Sequence, residues 1–165
     1  MKQWADRPFE IATLLNPAFC GWLILISLNE YTEQIKEGAP FAYPFIVLPL
    51  VLHDPTRKKF NHLTNRTFPD WIANDEIAGT VKIGFADRAR KTVPYVKEAL
   101  IFAMQRNSIR ISDSGLLQST YAAPKSFPHA TSDTKECAKA ASLCGKKLSK
   151  FRQFETVLTL LGVVP

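Results

Sequence analysis

The sequence predicts a mainly α-helical protein: a winged helix-turn-helix-like domain with one short β-hairpin and additional N- and C-terminal helices. Apolar residues recur at helical spacing over most of the chain, and Asn-Pro and Asp-Pro pairs mark helix starts. Residues 108–119 alternate instead, with Ile109 and Ile111 on one side and a turn signal at residues 113–115. One hairpin directly after a long helix is the element order of a winged helix.

Length and composition predict one compact domain. The chain has 165 residues, of which 46% are hydrophobic and 22% charged, which is enough apolar material for a core. We divide the predicted domain, residues 1–165, into an N-terminal helical docking region (about 1–53), a winged-helix-like region (about 54–120) and C-terminal helices (about 133–162). A connector rich in Pro, Ser and Thr, residues 121–134, joins the last two parts.

The N-terminal third begins with two predicted helices. Residues 4–15 have the apolar spacing of a short helix. Asn16 is placed to cap the next helix, with Pro17 in its first turn, and Gly38 follows its expected end near residue 36. The first half of this second helix is apolar on nearly all sides, which is typical of a central core helix.

The following segments are shorter. Residues 40–52 are predicted to form a second core helix, which Pro44 and Pro49 bend or break. Asp54 is placed to cap a further helix. Residues 61–68 are polar and predicted to be a loop, and a short helix is expected to begin at Pro69.

Two long helices are predicted in the C-terminal two thirds. Residues 77–105 read as a single helix with a kink at its proline. Residues 134–151 read as another, with Asp133 and Glu136 forming a capping box. Its apolar stripe has 4-3-4-3 spacing and consists of Cys137, Ala141, Cys144, Leu148 and Phe151. A last helix is expected at residues 154–161.

The hairpin is expected to pack on the preceding helix, because two strands alone are marginally stable. Ile109 and Ile111 would then face the core, and Leu116 or Leu117 would meet them from the second strand, while Arg110 points outward. A hairpin that only closes the core and contacts no partner remains the alternative.

Charge is distributed unevenly, with a net charge of +6. Residues 1–56 carry three Lys or Arg against six Asp or Glu, whereas residues 84–110 carry six against two and residues 135–152 six against one. We predict that the basic residues contact either DNA phosphates, without base readout, or an acidic protein surface. These residues are Arg88, Arg90, Lys91, Lys97, Arg106, Arg110, Lys139, Lys146, Lys147 and Lys150.

The acidic N-terminal region is predicted to supply a protein-docking surface. Its large side chains are of the type that anchors interfaces, although an 18.5 kDa chain must bury some of them. The docking candidates are Trp4, Phe9, Trp22 and Tyr31.

No catalytic, metal or cofactor site is predicted. The three cysteines form no CxxC pair, and the sequence has no Gly-rich phosphate loop. Asp70, Asp75 and Glu76 are interpreted as surface charges or caps, and His53 as a buried or capping histidine. No signal peptide is apparent, and both apolar runs are shorter than the roughly 20 residues of a membrane span, so we expect a cytoplasmic protein without membrane contact.

Several strings carry a resemblance to a known family: RPFEIATLLNPAFCG, PFAYPFIVLPLVLHDPTR, IGFADRARKTVPYVKEALIFA and LTLLGVVP. They resemble the middle component of three-component ABC ATPase systems, the bacterial conflict class that includes the Lamassu anti-phage systems. The most specific pieces are residues 16–19, residues 48–53 with 56–57, and residues 85–90.

The resemblance implies a small, non-catalytic, winged-helix-like adaptor. Its expected partners are an SMC- or Rad50-like ABC ATPase and an effector, often a nuclease. A free-standing winged-helix DNA-binding regulator is the alternative. The acidic and apolar N-terminal third favours the adaptor, because an adaptor needs a second docking face.

Overall fold

The computed structural model describes residues 6–60, 66–151 and 153–163, apart from the side chain of Asp75. Within these residues the chain is mainly helical with one antiparallel hairpin, which confirms the mainly α fold class; the winged helix stays a prediction. The helices are α1 (Phe9–Leu14), α2 (Pro17–Gln34), α3 (Pro44–Leu52), α4 (Asp54–Phe60), α5 (Phe68–Ala73), α6 (Asp75–Val81), α7 (Phe85–Gln105), α8 (Ser132–Leu148) and α9 (Phe154–Leu160). The strands are β1 (Ile109–Ile111) and β2 (Leu117–Ser119).

Helix α2 is the centre of the fold. It begins where the sequence predicts, because the Asn16 side chain accepts hydrogen bonds from the first free backbone amides and Pro17 occupies the first turn. It ends at Gln34, slightly before the expected end. Residues 23–28 are all buried, since other helices cover α2 on several sides.

Helices α7 and α8 lie on opposite sides of α2. A Cβ placed on Gly21 would be 3.3 Å from the carbonyl oxygen of Ala99 in α7. A Cβ placed on Gly145 of α8 would be 2.6 Å from the Cβ of Glu30. Positions 21 and 30 of α2 are separated by about two and a half helical turns, which puts them on opposite faces of the helix.

The shorter helices differ from the prediction mainly in their first residues. Helix α3 begins at Pro44, because residues 41–43 form a turn. Helix α5 begins at Phe68 and is capped by the Thr67 side chain, which accepts from the Asp70 amide. Residues 61–65 of the predicted loop lie outside the described residues, as do the first residues of the predicted N-terminal helix.

The single helix predicted over residues 77–105 is wrong. Helix α6 ends at Val81 and α7 begins after Gly84, whose φ of 69° is left-handed. Glycine adopts this conformation at little cost, and it redirects the chain between the two helices. The Arg88 side chain stabilises the break by donating hydrogen bonds to the carbonyl oxygens of Val81 and Ile83. Sequence reasoning missed this break because apolar residues keep helical spacing on both sides of it.

Helix α8 begins and ends earlier than predicted. Its N-cap is Thr131, whose hydroxyl accepts from the Thr134 amide, so the predicted capping box at Asp133 is wrong. Phe151 lies beyond the end of the helix. The rest of the predicted stripe is buried, which confirms the helical spacing at Cys137, Ala141, Cys144 and Leu148.

The hairpin pairs Ile109 with Ser119 and Ile111 with Leu117. Ile109 and Leu117 are buried as predicted, but Ile111 is 44% exposed, so the prediction that it faces the core is wrong. Ile109 begins the strand shortly after α7, whereas Ile111 is the last residue of β1, beside the turn of the hairpin. Ala39 forms an antiparallel bridge with Leu117, which makes β2 the middle of three segments.

Among the described residues, one stretch, from Phe9 to Gln34, is long and apolar enough by length and composition to cross a membrane. It comprises α1 and α2, and the core helix of a soluble protein can have the same length and composition. In this fold residues 23–28 of α2 are buried against its helical neighbours.

Candidate functional site

The basic residues of α7 do not all serve the same purpose. Arg88 is committed to the structure: its guanidinium donates to backbone carbonyls at 2.7 and 2.8 Å and lies over the Phe85 ring. Burial lowers the pKa of Arg88. This arginine therefore stabilises the turn between α6 and α7 and is not available to a partner in this fold.

Three other basic side chains of α7 are exposed: Arg90, Lys91 and Lys97. Arg90 forms an ion pair with Asp87 at 2.8 Å, in which both side chains are largely exposed. Exposed pairs of this kind contribute at most about 1 kcal/mol, so Arg90 can be recruited by a competing carboxylate. Lys91 and Lys97 have no polar partner among the residues that the structure describes.

Two basic residues lie at the transition from α7 to the hairpin. Arg106 is exposed, and its guanidinium lies 5.5 Å from the centre of the Phe102 ring. Arg110 points outward from β1, as predicted, and donates to the Gln118 side chain on β2 at 3.1 Å.

The lysines of α8 form a second basic surface. Lys139 and Lys150 are exposed, whereas Lys146 lies 3.5 Å from the buried carboxylate of Glu30. Lys147 donates to the Arg66 carbonyl oxygen, and burial together with the nearby charge of Lys150 lowers its pKa. A depression of about 320 Å³ lies among these residues and is lined by Gln34, Leu143, Lys146, Lys147 and Lys150.

Glu30 explains part of this arrangement. It is 1% exposed and accepts hydrogen bonds from Lys125 in the connector and from Ser142 in α8, the latter at 2.8 Å. Burial alone would raise its pKa, but the two hydrogen bonds and the charge of Lys146 outweigh burial, so its pKa is lowered. Glu30 thus ties the connector and α8 to the core helix.

Apart from Arg88, which stabilises a turn, and Arg110, which lies on the hairpin, the predicted basic residues belong to two surfaces. Those of α7 and those of α8 flank α2 from opposite sides, because the two helices pack on opposite faces of α2. The fold brings Arg90 and Lys97 together on one side of α7, seven positions apart. It groups Lys146, Lys147 and Lys150 at the end of α8.

The docking candidates of the N-terminal region have different environments. Phe9 is 80% exposed. Tyr31 is 4% exposed and lies against Tyr43, so it is a core residue and not available for docking. Trp22 is half-buried; its indole N–H donates to the Pro124 carbonyl oxygen and thereby holds the connector. Trp4 lies outside the described residues.

A groove between α3, α7 and α9 was not anticipated. It has a volume of about 410 Å³ and is lined by Arg90 and mainly by apolar side chains, including Phe45, Ala86, Val93, Leu158 and Val163. We refer to it as the α3–α7–α9 groove. Phe41 lies beside it, 49% exposed, with its ring 5.9 Å from that of Phe45.

A sequence signal for this groove existed. Val93 and Ala86 are seven positions apart on α7, on a strip of the helix surface that borders its fully buried residues. Sequence reasoning assigned residues 40–52 entirely to the core. It overlooked Phe41, which lies in the turn that precedes α3, and Phe45, which lies in the first turn of α3.

The residues considered for chemistry have local structural partners. The His53 ring nitrogen Nδ1 lies 2.7 Å from the Thr56 hydroxyl, and burial lowers the pKa of His53. Asp70 accepts from the Thr67 hydroxyl at the start of α5. Among the described residues, no three His, Cys, Asp or Glu side chains are grouped to hold a metal ion.

Comparison with known proteins assigns the family. No curated protein and no solved structure matches the chain significantly. A family model does match, over residues 4–165, and its description is ABC-three component (ABC-3C) system Middle Component 3. The match covers nearly the whole chain, including the strings in which the resemblance was noted. The chain belongs to this family of middle components of ABC-three component systems.

Proposed function

We propose that this middle component is a non-catalytic adaptor that bridges an SMC- or Rad50-like ABC ATPase and an effector, a nuclease, in a bacterial anti-phage complex of the Lamassu type. Membership in a family of middle components implies association with the other components of an ABC system. The observation that carries the bridging role is the presence of two unlike surfaces. An apolar groove lies beside α7, and a lysine-rich surface lies on α8, across α2.

Two unlike surfaces suit an adaptor better than a free-standing regulator. An adaptor must hold two partners at once, and surfaces on opposite sides of a small domain allow this without steric conflict. The family match over residues 4–165 supports the same choice, because it is to a component of a multi-protein system. We place the complex in the cytoplasm, without membrane contact, with α2 serving as a core helix.

The non-catalytic assignment is supported by the environment of the candidate residues. The His53 ring nitrogen is hydrogen-bonded to the Thr56 hydroxyl, and the Asp70 carboxylate accepts a hydrogen bond from the Thr67 hydroxyl at the start of α5. The Asp70 hydrogen bond is that of a capping residue at a helix start. Thr56 is fully buried, so the hydroxyl beside His53 is not accessible to a substrate. The ATPase and effector would then supply the chemistry.

Contact with the DNA backbone is a further part of the proposal. Exposed lysines on α8 can neutralise phosphates and release counterions, with little dependence on base sequence. In a winged-helix-like arrangement, a short first strand pairs with the second strand of the wing. The bridge between Ala39 and Leu117 has this order and supports such an arrangement. That arrangement would extend the winged-helix-like region towards the N-terminus, beyond residue 54.

Co-expression tests the adaptor. The tagged chain is expressed with the ABC ATPase and the third component encoded beside it, and the purified material is analysed by size-exclusion chromatography with light scattering. We expect one complex that contains all three proteins, and no association of the other two when this chain is omitted. An ATPase–effector complex of equal yield without this chain would contradict the bridging role.

A further inference from the structure

We propose that the α3–α7–α9 groove binds an amphipathic, acidic α-helix that belongs to another component of the ABC system. This rests on the adaptor function proposed above and specifies the chemistry of one partner. Three features of the groove carry the inference: its apolar floor, the position of its positive charges and the helices that form its walls.

Among the described residues, no element covers the apolar floor of the groove. Its volume of about 410 Å³ lies between side chains such as Phe45, Val93 and Leu158, and its lining residues come from three helices and from the segments just before α3 and just after α9. Phe41 extends the apolar surface at one end and is 49% exposed. Apolar side chains of a partner that fill such a groove would provide most of the binding free energy.

One positive side chain lines the groove and a second lies further along α7. The Arg90 side chain lines the groove and is 77% exposed, and its ion partner among the described residues is the exposed Asp87. Lys97 follows seven positions later on nearly the same side of α7, about 10 Å further along the axis, and is exposed. A guanidinium can bind a carboxylate through two hydrogen bonds, which favours Asp or Glu opposite Arg90.

The walls favour a helix as the occupant. Residues of α3, α7 and α9 all line the groove, so side-chain ridges of a further helix can enter the space between them. A partner helix with apolar residues at i, i+3, i+4 and i+7 would place its stripe on the floor. Acidic residues about seven positions apart would then lie opposite Arg90 and Lys97.

Photo-crosslinking in the assembled complex identifies the occupant. A photoreactive benzoyl-phenylalanine replaces Val93, the three proteins are co-expressed and irradiated, and mass spectrometry maps the attached peptide. We expect a peptide of the ATPase or the effector with helical apolar spacing and net negative charge. A peptide from a second copy of this chain, a neutral or basic peptide, or no crosslink in an intact complex would overturn the proposal.

Charge reversal measures the contribution of the two cations. The double variant Arg90→Glu with Lys97→Glu is compared with Lys36→Glu with Lys135→Glu, which makes the same change in net charge at exposed lysines elsewhere. We expect the first variant to weaken binding of the crosslinked component about tenfold at physiological salt, and less at high salt. The second should bind that component like the wild type. Equal affinities for the two variants would refute the role assigned to the groove.

An apolar pair of variants tests the floor. Val93→Glu adds a charge to the groove, while Ile111→Glu adds one at an exposed isoleucine on the hairpin. Circular dichroism melting shows whether both variants are folded. If Val93→Glu is unfolded, the charge-reversal variants alone decide whether the groove binds the partner. We expect loss of partner binding only for Val93→Glu.

These results separate the two proposals. If every variant assembles normally, the proposed role of the groove is refuted but the adaptor role is not. Failure of the wild-type chain to bind either of the other components would refute both.

Discussion

Gly145 is expected to control the contact between α2 and α8. A Cβ at this position would collide with the Ser27 carbonyl oxygen, and it would lie 2.6 Å from the Glu30 Cβ and 3.1 Å from the Tyr31 backbone nitrogen. Backbone atoms cannot rotate away as the end of a side chain can, so Gly145→Ala must push the two helices apart. Ordinary contacts between carbon atoms need about 3.5–4.0 Å, which sets the separation at roughly 1 Å.

The expected cost follows from three contributions. Alanine gains about 1 kcal/mol of helix propensity over glycine. Overpacking of a tight contact costs about 1–3 kcal/mol, or more when backbone must move. Separation of the helices also weakens the 2.8 Å hydrogen bond from Ser142 to the Glu30 carboxylate, and hydrogen bonds to charged groups contribute about 1.5–3 kcal/mol. We therefore expect Gly145→Ala to lower the free energy of unfolding by about 2–4 kcal/mol.

Gly79→Ala is the matched control, because a Cβ on this helical glycine would have no atom within 4 Å among the described residues. It should raise the free energy of unfolding by up to about 1 kcal/mol. Urea titration followed by circular dichroism measures both variants. Thermal melting should place Gly145→Ala about 4–16 °C below the wild type for a protein of this size. A Gly145→Ala protein as stable as the control would refute the close packing of α2 on α8.

The remaining predictions concern charge, thiols and DNA. Because the pKa of Glu30 is lowered in the fold, its contribution to stability is complete above its unfolded pKa and is lost as pH falls through the folded value. Glu30→Gln should therefore lose about 1–3 kcal/mol in urea titrations at pH 7, and the difference from the wild type should shrink below about pH 4; a difference independent of pH would contradict this. The three cysteines are buried, and burial raises the pKa of Cys20 to about 12, so Ellman's reagent should react with none of them quickly until urea unfolds the protein. Fast modification of the native protein would argue against the packing of α2 and α8. The double variant Lys139→Glu with Lys150→Glu should weaken binding of the assembled complex to all DNA duplexes alike. It should also reduce the slope of log affinity against log salt concentration by about 2, as measured by fluorescence anisotropy. An unchanged slope with intact assembly would exclude phosphate contacts at these lysines.

The local signals in the sequence predicted the helices well. Asn16 and Pro17 fix the start of α2, because their side chains act on the backbone within a few residues. The 4-3-4-3 stripe of α8 is buried up to Leu148 for a similar reason, since one helix face carries it. The alternation after residue 107 predicted the hairpin and the burial of Ile109.

Failures arose where two elements must meet. The turn at Gly84 depends on a left-handed residue that helical spacing on both sides obscures, and the Arg88 side chain that stabilises it was interpreted as part of a basic surface. Exposure of Ile111 depends on how far α7 extends beside the hairpin, which alternation alone does not specify. Close approach at Gly145 depends on the packing of α8 on α2.

The candidate surfaces were only partly predicted, because they too depend on how the helices pack together. Counting charges along the chain identified the basic residues of α7 and α8, but their separation onto opposite sides of α2 is a property of helix packing. The α3–α7–α9 groove combines side chains from residues 42 to 163, so no local pattern contains it. Buried Tyr31 shows the reverse error, because a large side chain of the interface type is used in the core.

A titration of the bridge tests the central claim most directly. The ABC ATPase is immobilised, the effector is held at a fixed concentration, and retained effector is measured as the concentration of this chain increases. An adaptor with separate surfaces predicts a bell-shaped curve, because excess adaptor occupies each partner separately. Retention of the effector that is the same at every concentration of this chain, zero included, would contradict the account.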